Sequence, residues 1–95
     1  MNYPANSTVI TLSRPFNLNG EEVTELTLRE PRVVDKLTYE KTAGGPLVKE
    51  STMIATLCGL NASDIHNLPA YDYEQLTDAV NRFLLPPEER KSHNS

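Results

Sequence analysis

The hydrophobic period of this chain changes at Pro31. Before it, Val23, Glu25 and Thr27 alternate with Thr24, Leu26 and Leu28, the two-residue period of a strand with one face covered. After it, apolar residues return at steps of three and four, the period of a helix. Proline suits such a junction because it lacks the N–H that the first helical position leaves unused, and its ring presets the helical φ. A helix is therefore expected to start at Pro31.

Upstream, Thr8-Val9-Ile10-Thr11-Leu12 is a short β-branched run and a second strand candidate. Between the two runs lies Ser13 to Gly20, ending in Asn19-Gly20, a dipeptide that takes positive φ at little cost and suits a hairpin turn. An antiparallel pair follows, with room for further strand residues around Phe16 and Leu18.

Downstream, Val33, Val34, Leu37 and Lys41 form a stripe of about two turns, ended by Thr42-Ala43-Gly44-Gly45, whose glycines suit left-handed caps. Pro46 restarts the pattern. Leu47, Val48, Met53, Ile54, Leu57 and Cys58 make the apolar side of a second helix that stops at Gly59 and is expected to be the most buried. Asn61 or Ser63 caps a short helical turn through Asp64, Ile65 and His66. After Pro69, Tyr73, Leu76, Val80, Phe83 and Leu84 recur opposite Glu74, Gln75, Asp78 and Arg82, a strongly amphipathic last helix.

The fold expected is α+β: an N-terminal antiparallel β-hairpin followed by three main helices and a short helical turn, in a single small domain. Its organisation is a loose arm over 1–7, one domain over 8–85 and a charged tail over 86–95. At 95 residues the chain has room for one hydrophobic core and not for two ordinary domains.

Nine Lys and Arg stand against 13 Asp and Glu, for a net charge of −4, and the basic residues are dispersed, which argues against a nucleic-acid partner. The single cysteine excludes an internal disulfide and fits a reducing compartment. The amino terminus lacks a basic start and an apolar run, and no apolar stretch nears the roughly 20 residues that span a bilayer. A soluble, unexported protein without membrane association is expected.

Catalytic chemistry finds little footing. Cys58, Asp64 and His66 are the one compact set of metal-ligand types and are too few for a site. The same set read as a Cys-His nucleophile lacks a known spacing. Glu21-Glu22 and Glu88-Glu89 are solvated pairs beside a turn and in the tail. Gly44-Gly45-Pro46 lacks the Lys-Ser/Thr that completes a phosphate loop. Tyr71, Tyr73 and Phe83 read as packing residues in an acidic chain rather than base-stacking ones. No catalytic, cofactor or metal residue is assigned. What remains are surfaces: an open strand edge, and Tyr73, Leu76, Val80 and Phe83 on the part of the last helix that a small core leaves uncovered, where a partner or a second copy would bind.

The order of certain segments carries a further signal. Thr27-Leu28-Arg29-Glu30-Pro31, then Ile54-Ala55-Thr56-Leu57-Cys58-Gly59-Leu60, then Leu68-Pro69-Ala70-Tyr71-Asp72-Tyr73 ahead of Phe83-Leu84 together resemble the small tail assembly chaperones of Mu-like and related contractile-tailed phages, over residues 8 to 85. The resemblance implies a non-catalytic protein of the host cytoplasm, absent from the mature virion. It would bind the tape measure protein and help tail tube protein assemble around it. In many such families a ribosomal frameshift appends a longer C-terminal domain, which here would begin after Phe83. The alternative is a small structural tail or adaptor protein of the virion.

Overall fold

The computed structural model describes residues 7–86. Two antiparallel strands, β1 (Ser7–Leu18) and β2 (Glu21–Arg29), form a hairpin, followed by helices α1 (Val33–Lys41), α2 (Pro46–Cys58), α3 (Ala62–His66) and α4 (Ala70–Phe83). The α+β hairpin-then-helices architecture is the one the sequence implies. The expected arm and charged tail lie outside the described residues except at their inner ends: Ser7 is already in β1, opposite Arg29, and Pro86 follows α4.

The strands run further than their β-branched cores. Asn19 and Gly20, with φ of 55° and 88°, make a two-residue turn between Leu18 and Glu21, and the Gly20 N–H donates to Asn17 Oδ1 at 2.9 Å. What reads in sequence as a long connection is strand pairing interrupted by a bulge. Thr11 pairs with Glu25 and Phe16 with Val23, so residues 12 to 15 bow out of register. Pro15 lies in that bow, where a residue without an N–H costs the ladder nothing.

Arg32, not Pro31, caps α1. Its N–H donates to Asp35 Oδ2 at 2.7 Å, which fixes the first turn one residue beyond the proline. The far end also differs from expectation. Thr42 caps it in an extended conformation, its hydroxyl donating to the Thr38 carbonyl at 2.7 Å, and the positive-φ glycine, Gly44 at 119°, comes two residues later in the connection to α2. Pro46 opens α2 and Gly59 closes it in the left-handed region, both as expected. In α3 the cap is Asn61, whose N–H donates to Asp64 Oδ2 at 3.1 Å.

Helices α2 and α4 cover one face of the hairpin. Ile10, Leu12, Leu26 and Leu28 meet Ile54, Ala55 and Leu57 of α2 and Leu76, Ala79, Val80 and Phe83 of α4, with Ile65 and Leu68 closing one end. Helix α2, expected to be the most buried, is buried to about the same degree as α4. Leu47 and Val48 in its first turn stay exposed, while α4 carries apolar residues into the core along its length.

Candidate interaction surfaces

Arg29 and Glu30 sit where the hairpin joins the helices. Arg29 donates from both terminal nitrogens to the Asp35 carboxylate, at 2.8 and 2.9 Å, and also to the Glu30 carbonyl at 3.3 Å. Asp35 is buried. The Arg29 hydrogen bonds hold its carboxyl below the usual range, outweighing the opposite push of burial, and Arg29 is raised in turn. One carboxylate thus starts α1 and pins it to the end of β2.

That clamp decides which way α1 faces. With Asp35 turned inward and Tyr39 half-buried behind it, the apolar stripe faces solvent: Val33 is 73% exposed, Val34 52% and Leu37 53%. Leu47, 66% exposed, adds to the uncovered apolar surface from α2. On the inward side, Lys49 Nζ sits 5.8 Å from the centroid of the Tyr39 ring.

A second buried carboxylate ties α4 to the hairpin. Asp72 accepts from the Ser13 N–H at 2.9 Å, the Ser13 hydroxyl at 2.8 Å and Gln75 Nε2 at 3.0 Å. Burial pushes its pKa up, but those donors, with Arg14 nearby, hold it below the ordinary value. Gln75 also donates to the Thr11 carbonyl at 3.0 Å. Two α4 side chains therefore satisfy the backbone of β1 where the bulge frees it.

Between α2, α3 and the start of α4 runs an open groove of about 370 Å³, lined by Leu47, Val48, Leu68, Ala70 and Tyr73 with Ser51 and His66 among them. Ser51 Oγ lies 3.0 Å from His66 Nε2 and 3.1 Å from the Val48 carbonyl. The Ser51 hydroxyl has the Val48 carbonyl as an acceptor, so its contact with His66 does not by itself make His66 a base for Ser51. Tyr73 donates to Glu50 at 2.7 Å, and burial followed by that carboxylate raises its pKa.

The other sequence candidates separate. Asp64 is spent on the start of α3, His66 turns to Ser51, and Cys58 packs at the edge of the core, where burial pushes its thiol up to about 11. Among the described residues no group of His, Cys, Asp and Glu is placed to hold a metal ion, and no helix is long and apolar enough to cross a membrane. Glu21 and Glu22 are exposed beside the turn, whereas Glu88 and Glu89 lie outside the described residues. Of the four α4 residues singled out for partner binding, Leu76, Val80 and Phe83 are in the core and Tyr73 alone lines the groove.

The clamp, the Asp72 lock and the exposure of α1 escaped sequence reasoning. Asp35 and Asp72 each stand at the third position of a helix, a signal that an acidic side chain serves the helix start. Nothing in the spacing of Arg29 and Asp35, or of Ser13 and Asp72, announces that they meet.

Buried carboxylates here work on helix starts and strand backbone, and apolar side chains are divided between a core and an open helix face, the build of a small binding domain. The family described as "phage tail assembly chaperone proteins, E, or 41 or 14" matches residues 9–85, a span that contains all the motifs that carried the resemblance. The chain belongs to that family of phage tail assembly chaperones. No curated protein and no solved structure matches it.

Proposed function

We propose that this protein is a non-catalytic chaperone for the phage tape measure protein, shielding that client while tail tube protein assembles around it. It acts in the host cytoplasm and leaves before the virion is complete. The observation that carries the reading is the outward apolar stripe Val33, Val34 and Leu37 on α1, in a chain of the tail assembly chaperone family. An apolar face left open in a small folded domain is suited to covering a client's apolar helix. Exposed Leu47 and half-buried Tyr73 line the apolar groove between α2, α3 and α4 and offer the client a further contact. In this reading Leu76, Val80 and Phe83 serve binding through the core they build beneath α4.

Co-expression with the tape measure protein tests the proposal. A rise in the soluble yield of the client, with the two proteins purifying together, is the expected result; no gain and no co-purification would overturn it. Mass spectrometry of purified virions tests the departure of the chaperone, which is expected to be absent. Its presence in fixed stoichiometry with tail subunits would instead make it a structural tail protein.

A further inference from the structure

The two edges of the hairpin are treated differently. On β1, Asp72 takes the Ser13 N–H and Gln75 takes the Thr11 carbonyl, so α4 stops a further strand from docking there. On β2, among the described residues, no hydrogen bond outside the pairing with β1 uses a backbone group of Glu21–Arg29. An open strand edge of this length invites another strand.

We propose that the occupant of this edge is a second copy of the same chain, pairing β2 with β2 antiparallel about a two-fold axis at Thr27. The two hairpins then make one four-stranded sheet. The charges on β2 choose the register. Glu25, Thr27 and Arg29 alternate with Leu26 and Leu28, which face the core. An axis at Thr27 sets Glu25 opposite Arg29 of the second copy, twice by symmetry, and Leu26 opposite Leu28 of the second copy. An axis at Leu26 sets Glu25 opposite Thr27 and loses both ion pairs. An axis at Glu25 places two carboxylates face to face. Arg29 remains available for this pairing: its side chain is 34% exposed, the Asp35 clamp holds it in place, and Asp35 and Glu30 leave part of its donor set free. Glu25 has no ion-pair partner among the described residues.

The inference requires no client, so the purified full chain suffices to test it. Sedimentation over a concentration series is expected to give a dimer, and Glu25→Arg, which sets arginines opposite each other at two places, is expected to raise the dimer dissociation constant about tenfold or more. Far-ultraviolet circular dichroism checks that the variant is folded. Independently, Thr27→Cys in a Cys58→Ala background is expected to form a disulfide-linked dimer under mild oxidation, because residues directly opposite lie about 4.5–5.5 Å apart at Cα, within disulfide reach. Thr38→Cys in the same background is expected not to cross-link. A monomer at every concentration overturns the proposal. So does a dimer that Glu25→Arg leaves unchanged, or one that Thr27→Cys fails to link; if Glu25→Arg does not fold, the cross-link decides.

Discussion

Helices α1 and α4 both carry apolar stripes in sequence and use them in opposite ways. On α4, Leu76, Val80 and Phe83 enter the core, and Tyr73 reaches its edge. On α1, Val33, Val34 and Leu37 stay in solvent while an aspartate is buried. The difference lies in what each helix start is tied to. Asp72 fastens α4 to the bulge of β1 with its apolar face down, whereas Asp35, gripped by Arg29, fastens α1 with its apolar face out. A polar contact has outvoted the hydrophobic pattern, and it leaves the apolar surface that the proposed client binding uses.

The comparison can be strained first at the core. Leu76→Ala removes a fully buried side chain and is expected to cost about 2–5 kcal/mol, read from urea unfolding. If α4 were instead a loosely held binding helix, the same change would cost well under about 1 kcal/mol.

Next comes the lock beneath α4. Asp72→Ala leaves the Ser13 N–H and hydroxyl without their acceptor and is expected to cost about 2 kcal/mol. Asp35→Ala is expected to cost less, about 1–2 kcal/mol, since Arg29 is partly exposed and water screens part of the pair.

Acid separates the same features without mutation. Both Asp35 and Asp72 bind a proton more weakly when folded than their ordinary value of 3.8. Their stabilisation is therefore complete above that value and is lost as pH falls through the lowered folded values. Thermal melts at pH 7 and pH 3 are expected to show a drop at pH 3 that shrinks in Asp72→Ala and shrinks again when Asp35→Ala is added. A drop of equal size in the double variant would place the acid sensitivity elsewhere.

The elements themselves were legible because each follows from local chemistry. Pro46 and Gly59 bracket α2, Asn19-Gly20 turns the hairpin, and the spacing of Leu76, Val80 and Phe83 makes α4. Facing and exposure were not legible in the same way, because they depend on contacts between distant residues. Asp72 meets Ser13 across 59 positions, and the bulge that frees Ser13 exists because β1 must pass Pro15 while still pairing at Phe16. For α1 the apolar period is present, but period alone does not say whether an apolar face meets a core or a client. Among the residues singled out on α4, the same ambiguity resolved toward the core.

The most direct measurement uses Val33→Ser combined with Leu37→Ser. Both positions are more than half exposed, so stability is expected to stay within about 0.5 kcal/mol of the parent. The variant is co-expressed with the tape measure protein alongside the parent chain. A folded double variant that no longer co-purifies with the client or raises its solubility is the predicted result, and one that retains the client as well as the parent does would contradict the account.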